Sequence, residues 1–400
     1  MELQRNYQPI SNVTASKVSA GAFFKMLAIA ADAFDRPSET FIRAHVKDIA
    51  PSHTVLLSRE PAPSVYLGCQ VLSGLNTITP SKKPITRLKN GLRFRWRRYV
   101  DPALRGSDEI QVLSFLQKQR VRVVLAEFGP TGNWLRVICN RANIPLYVFF
   151  HGYDVTTRPK QAPFRRFYRR LFRDIAGAIV PSKFLSERLI SLGCSKEKIH
   201  ICPNGVELSA FSESKRKKGT ILAVGRLVEK KAPHLTIRAF AKAHRYHPDS
   251  VLHIIGDGPL WDRCIKEIDR LVLNGRVHLH GAQNPDFVRQ KLREAEIFVQ
   301  HSITAKDGDM ESFGVSLIEA MASFVPVVAT NHNGFSDTVS NGNTGILVDE
   351  HDIDSMADAI SALLSDPIRA AKMGRSGRRR VETEFTNQRV AARMREIMGI

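Results

Sequence analysis

Ile297-Phe-Val-Gln-His-Ser-Ile-Thr-Ala-Lys-Asp-Gly-Asp-Met-Glu-Ser-Phe-Gly-Val-Ser-Leu-Ile-Glu-Ala-Met-Ala-Ser-Phe-Val-Pro-Val-Val-Ala-Thr330 reads as strand, loop, helix and strand. Its first four residues form a short apolar run, a strand rather than a helix. A polar, glycine-bearing loop follows, then helical spacing over 316–323 and a second apolar run at 327–329. A helical crossover joins parallel strands, because an antiparallel pair needs only a hairpin. The same rhythm extends outward. In the second half, strands are expected at 220–224, 251–255 and 277–280, with helices near 232–246 and 260–273. In the first half, strands are expected at 26–31, 54–58, 121–126, 146–150 and 178–180, with helices such as 109–119 and 183–192. This alternation predicts an α/β protein whose parallel sheets are covered on both faces. The lysine-rich stretch 209–219 interrupts the pattern and reads as a linker. The expected organisation is a poorly ordered segment at 1–24, a Rossmann-like domain at 25–208, a linker at 209–219, a second Rossmann-like domain at 220–385 and a C-terminal helix at 386–400, within a tail expected to be helical throughout from 353. Two doubly wound domains set two rows of strand carboxyl ends across a central cleft, where such sheets bind ligands.

Composition narrows the class. Of 400 residues, 43% are hydrophobic and 24% charged, a globular balance. Lys and Arg total 59 against 39 Asp and Glu, a net charge of +20, which favours anionic partners. Cys69, Cys139, Cys194, Cys202 and Cys264 form no CxxC pair and no zinc-like spacing, so buried reduced thiols are expected. No apolar run reaches the roughly 18 residues a spanning helix needs. The run 25–32 resembles a signal peptide superficially, but it lacks a cleavage site and Asp32 follows at once, so a first buried strand is expected.

The quoted stretch also carries the densest chemistry. Glu311 stands in the loop and Glu319 in the helix, eight residues apart, slightly over two turns. Such carboxylates accept hydrogen bonds from sugar hydroxyls, and the amides at the helix start suit a phosphate or sugar oxygen. Taken alone, a pair at this spacing favours solvated helix-end charge. Arg226 and Lys231 follow a strand end, where a fork and a point charge suit a diphosphate. Gly256-Asp-Gly-Pro259 lies between strand and helix and by itself is a turn. His151 follows the strand at 146–150, in a loop with Gly152 and Asp154.

In register, these motifs resemble the family-4 glycosyltransferases, which have the two-domain GT-B fold. The resemblance rests on Ser38-Glu-Thr-Phe-Ile42, Phe150-His-Gly-Tyr-Asp154, Val180-Pro-Ser182, Pro203-Asn-Gly-Val206, Val224-Gly-Arg-Leu-Val-Glu-Lys-Lys231 and Ile255-Gly-Asp-Gly-Pro259. It continues through Glu311, Glu319, Pro326-Val-Val-Ala-Thr330, Gly334 and Gly342-Asn-Thr-Gly-Ile-Leu-Val-Asp349, covering roughly residues 26 to 385. The chain departs from the family pattern at Ala232, at Ser323-Phe-Val325 and at Asp337, where a glutamate is common.

The resemblance implies a retaining transfer from a nucleotide-sugar donor, bound mainly by the second domain, to a saccharide or lipid-linked acceptor bound by the first, in bacterial polysaccharide assembly. It assigns the donor phosphates to Arg226 and Lys231 beside Gly225, Gly256 and Gly258, the ribose to Glu319, and the sugar to Glu311 with the Phe313 and Gly314 amides. His151 would touch the transferred sugar, and Ser38, Glu39, Thr40 and Asp154 would lie on the acceptor side. No metal, cofactor or covalent nucleophile is implied. A sugar-nucleotide epimerase on the same fold and a non-catalytic basic binding protein remain the alternatives.

Two stretches mix cations with aromatics. Arg87, Lys89, Arg93, Arg95, Arg97 and Arg98 crowd with Phe94, Trp96 and Tyr99; Arg158, Lys160, Arg165, Arg166, Arg169, Arg170 and Arg173 mix with Phe164, Phe167, Tyr168, Leu171 and Phe172. They suit an anionic membrane surface, which would make the protein peripheral on the inner face of the cytoplasmic membrane. Solvated basic surface is the plain alternative, and no recognisable nucleic-acid module accompanies them.

Overall fold

The computed structural model describes residues 25–36, 39–75, 102–160 and 163–400. Strands are numbered in chain order. The first sheet comprises β1 (Leu27–Ala31), β2 (Thr54–Ser58), β3 (Val65–Tyr66), β4 (Cys69–Leu72), β5 (Val123–Glu127), β6 (Leu146–Phe149), β7 (Gly177–Val180) and β8 (Ile199–Ile201). The second comprises β9 (Thr220–Val224), β10 (Val251–Ile255), β11 (Val277–Leu279), β12 (Ile297–Gln300), β13 (Val327–Thr330) and β14 (Gly345–Val348). Their orders are β3-β4-β2-β1-β5-β6-β7-β8 and β11-β10-β9-β12-β13-β14. Every named pairing is parallel except β3 with β4.

Unbroken apolar runs become strands here because both faces of each sheet are covered. All five residues of β1, β2 and β5 are buried. Apolar clusters fill both sides of the first sheet, one around Val124, Trp134 and Leu171 and one around Ile29, Ile42 and Phe149. The second sheet is flanked by clusters around Phe240 with Ile360 and Phe298 with Leu317. The strand order reverses at β1/β5 and at β9/β12, and loops diverging from those points open a crevice at the carboxyl ends.

The stretch read as a linker is stitched to the second domain rather than free. The Arg216 guanidinium donates to the carbonyls of Leu292 (2.9 Å), Arg293 and Ser323, and Lys217 pairs with Glu294 at 3.1 Å. The tail is not one helix. It is divided into Ile353–Ser365, Pro367–Glu384 and Asn387–Met398. Asp366 and Thr386 cap the second and third through their side chains, and Pro367 cannot continue the first.

The last of these helices returns to the first domain. Val390, Ala391, Met394 and Met398 join the apolar cluster of Leu27, Ile42 and Val46, and Arg395 donates to the carbonyls of Asp48 and Ile49 at 3.0 and 2.9 Å. At the crossing, Val206 bonds Phe385 and Asn387 through the backbone. Gly205 is required there, since a Cβ would stand 2.7 Å from Asn387 Oδ1 and 3.0 Å from its backbone.

All five cysteines are free and buried, and burial pushes the Cys139 and Cys202 thiols up to about 12. No helix among the described residues is long and apolar enough to cross a membrane.

Because Met394 is 0% exposed within the first domain's core, Met394→Ala should cost about 2–5 kcal/mol of stability, measured by chemical denaturation. An unchanged midpoint would show that the helix merely rests on that domain.

Candidate functional site

The second sheet's carboxyl ends assemble the cationic side of the site. After β9, Gly225 and Leu227 accept the β10 loop closely: Gly225 N–H bonds Ile255 O and Leu227 N–H bonds Asp257 O, each at 2.9 Å. Gly256, at φ 138°, must lack a side chain, because a Cβ would lie 2.0 Å from Gly225 O. The glycines read as phosphate-loop candidates thus have a packing role between two loop backbones. A cleft here is lined by Gly225, Arg226, Lys231, Pro233, Thr236 and Gln300.

Two lysines of the turn Glu229–Lys231 clasp the loop after β12. Lys231 Nζ meets Glu311 Oε2 at 2.8 Å and Lys230 Nζ meets Asp309 Oδ2 at 3.1 Å, with all four side chains less than one-fifth exposed. Burial opposes ionisation of Glu311, but the Lys231 and Lys230 ammoniums overcome it and hold the carboxyl at about 2. Arg226 remains exposed and forms no ion pair among the described residues. The sequence did not single out Lys230 or Asp309.

Glu311 and Glu319 do not share a helix. The helix is Val315–Ala322, preceded by Gly314 at φ 81°, so only Glu319 is helical and periodicity does not set their relation. Phe313 is buried, and Gly314 needs its bare Cα, since a Cβ would meet Phe335 Cε1 at 2.6 Å. Burial raises the Glu319 carboxyl to about 7, with the Arg289 guanidinium opposing weakly.

A buried imidazole supports the loop. The Glu311 N–H donates to His332 Nε2 at 3.0 Å, His332 Nδ1 meets Glu350 Oε1 at 2.5 Å, and the Thr304 N–H donates to Glu350 Oε2 at 2.8 Å. Neither His332 nor Glu350 was expected from the sequence.

Across the cleft, His151 is not isolated. Its Nε2 lies 2.8 Å from Glu127 Oε2, and Glu127 Oε1 lies 2.7 Å from His45 Nδ1. Burial opposes the Glu127 charge, and the two imidazoles overcome it to hold the carboxyl at about 2. The His151 ring stacks on Phe149 at 4.5 Å and packs on Phe41 at 4.1 Å, leaving its side chain 9% exposed. A carboxylate at the end of β5 was the missed signal.

Asp154 requires correction. It is 2% exposed, Oδ1 accepts the His151 and Gly152 amides at 3.0 Å, and Oδ2 accepts the Gly129 amide at 2.9 Å. Its oxygens are therefore spent on shaping the His151 loop rather than facing an acceptor. Glu39 is half-buried beside Arg36 at 3.6 Å, and burial raises its carboxyl. Thr40 is the exposed first residue of helix Thr40–Asp48. Ser38 and the basic stretch at 87–99 lie outside the described residues.

The two halves touch at the site. Ser312 Oγ donates to His151 O, the Lys183 N–H donates to Asp337 Oδ2 at 2.7 Å, and Lys160 Nζ donates to Asp307 O at 3.1 Å. The loop bearing Glu311 thus abuts the His151 backbone.

The second basic stretch is sorted by helical spacing. In helix Phe164–Asp174, Phe167, Tyr168, Leu171 and Phe172 are buried in the domain, while Arg165, Arg166, Arg169 and Arg173 are exposed. Except for the half-buried Phe164, the expected anchors are core residues, so this face offers mainly charge.

The family model described as Glycosyl transferases group 1 matches residues 207–380, and that described as Glycosyltransferase Family 4 matches residues 70–210. The putative colanic acid biosynthesis glycosyltransferase WcaL of Escherichia coli (strain K12) is 32% identical over 277 residues, 67% of this chain and 68% of that protein. The amylovoran biosynthesis glycosyltransferase AmsK of Erwinia amylovora is 32% identical over 248 residues, 61% of each. Among solved structures, Anabaena Alr3699/HepE in complex with UDP and glucose superposes with a TM-score of 0.73 at 17% identity, covering 94% of this chain and all of that one. At that identity the likeness establishes the two-domain GT-B fold.

Glu319 gives the site a measurable pH signature. Its folded value of about 7 lies above the ordinary 4.5, so the folded state holds this proton more tightly and stability declines as pH rises through that window. Glu319→Gln should match wild type near pH 4.5 and exceed it by about 1–3 kcal/mol at pH 8, read by thermal unfolding. A pH-independent difference would contradict the assigned environment.

Proposed function

This chain belongs to the family-4 glycosyltransferases, and we propose that it transfers a sugar from a nucleotide-sugar donor to a saccharide acceptor with retention of configuration. The carrying observation is that Arg226 and Lys231 line one cleft, Lys231 pairs with Glu311, and the loop bearing Glu311 abuts the His151 backbone of the opposite domain. The donor diphosphate takes Arg226 as a fork and Lys231 as a point charge, which stabilises the departing nucleotide. Glu319 accepts the ribose hydroxyls, which offset the cost of ionising it where it is buried. Glu311 and the Phe313 and Gly314 amides hold the sugar, and His151, oriented by Glu127, borders it. The acceptor hydroxyl attacks the anomeric carbon on the face the diphosphate leaves, and the leaving phosphate takes the proton. Positioning and electrostatics then supply the catalysis.

The names of the relatives, colanic acid and amylovoran biosynthesis, support an exopolysaccharide acceptor, and a lipid-linked saccharide is its expected form. The exposed arginine face of helix Phe164–Asp174 supports docking on the anionic inner surface of the cytoplasmic membrane, mainly by charge.

Calorimetry with UDP, GDP and ADP tests the donor site. Arg226→Ala and Lys231→Ala should each weaken the preferred nucleotide by about 1.5–3 kcal/mol. Only Lys231→Ala should also lower stability, because it leaves Glu311 unpaired. Unchanged affinity in both variants would refute the assignment. Addition of an acceptor should be required for fast nucleotide release, which an epimerase would not show.

Sedimentation with vesicles tests the surface. Binding should require acidic lipid, fall steeply with salt and weaken by about 1 kcal/mol for each of Arg165, Arg166 and Arg169 replaced by Gln. Binding to neutral vesicles that ignores salt would refute it.

A further inference from the structure

We propose that His332 and Glu350 are positioning residues for the donor loop: the His332 imidazole, held in one tautomer by Glu350, fixes the backbone from which Glu311 reaches the donor sugar. This rests on the donor-site reading above and adds the machinery that sets its geometry.

The hydrogen bonds determine the proton's place. An amide N–H donates only to a lone pair, so the 3.0 Å contact from Glu311 N leaves His332 Nε2 unprotonated. The ring proton is then on Nδ1, where Glu350 Oε1 receives it at 2.5 Å. The ring is 0% exposed, so no water replaces a lost partner easily.

Glu350 serves a second segment. Its Oε2 accepts the Thr304 N–H at 2.8 Å, and the neighbouring Ile303 N–H donates to Lys230 O at 2.9 Å. One carboxylate beyond β14 therefore ties the loop after β12 to the residue after β13, and through Ile303 to the lysine turn. Lys231 and Glu311 meet at 2.8 Å between two backbones that this network holds. A side-chain ion pair alone leaves both stems free to move; the imidazole anchors one of them at the main chain.

The test pairs two replacements of similar size. His332→Leu removes the acceptor, whereas His332→Gln offers a side-chain oxygen to the same amide. Hydrogen exchange of the segment 304–313 is read without ligand. Turnover is followed as nucleoside diphosphate release from whichever of UDP-glucose, UDP-galactose and GDP-mannose the wild type consumes. His332→Leu should lose protection across 304–313 and about tenfold in kcat/KM, while its Kd for the bare nucleotide stays within about twofold of wild type. His332→Gln should restore most of both. Wild-type protection and turnover in His332→Leu, or a His332→Gln as impaired as His332→Leu, would overturn the proposal. If His332→Leu does not fold, Glu350→Ala carries the test, with the same loss of protection expected and wild-type protection overturning it. Glu311→Ala separates the two readings. If it leaves turnover intact, the donor site and this inference both fall; if it abolishes turnover while His332→Leu does not, only this inference falls.

Discussion

A parallel strand covered on both faces has no place for charge along its length. Its polar residues must collect at its ends, and in a doubly wound sheet the carboxyl ends open on one crevice. This constraint organises the molecule. Buried runs such as Leu27–Ala31 and Ile297–Gln300 carry almost nothing reactive, whereas Glu127, His151, Arg226 and His332 each lie at or just past a strand end, and Glu311 lies in the loop that follows one. Two such sheets facing one another bring both collections together, and the contact between Ser312 and His151 marks where they meet.

Desolvation then acts differently on each carboxylate. Glu127 lies between two imidazoles and Glu311 against two ammoniums, and both stay ionised to about pH 2. Glu319 has no comparable cation and titrates near neutrality. The first two charges are offset before any ligand arrives. Ionising the third costs free energy that only a ligand's hydroxyl donors would offset. With Glu319 in the proposed ribose role, stability given up there serves affinity.

Local sequence carried the fold well. Strands Thr54–Ser58, Thr220–Val224, Val251–Ile255 and Ile297–Gln300 fall where apolar runs predicted them. The short strands β3, β4, β8 and β14 escaped, because two to four residues, most of them half-exposed, leave little apolar run to read. The tail's break at Asp366-Pro367 was legible as a cap signal and was passed over, whereas a separate helix from 386 was expected. The sorting of helix Phe164–Asp174 was also legible and passed over, since residues 167, 168, 171 and 172 follow helical spacing. The supports of the site were not legible. His45 and Glu127 are 82 residues apart, and His332 and Glu350 meet only because β14 lies beside β13. Asp154 looked like a cleft residue because a one-dimensional motif does not reveal that backbone amides occupy its oxygens.

The return of helix Asn387–Met398 to the first domain bears on how the chain is made. Residues 27 to 201 form the first sheet, yet the apolar face of helix Thr40–Asp48 and the strands beneath it wait for side chains that come after the entire second sheet. During synthesis the first domain therefore emerges with part of its core uncovered, and the second domain must be synthesised before that surface is sealed. The first domain's core is completed only by helix Asn387–Met398, which follows the whole second domain in the chain.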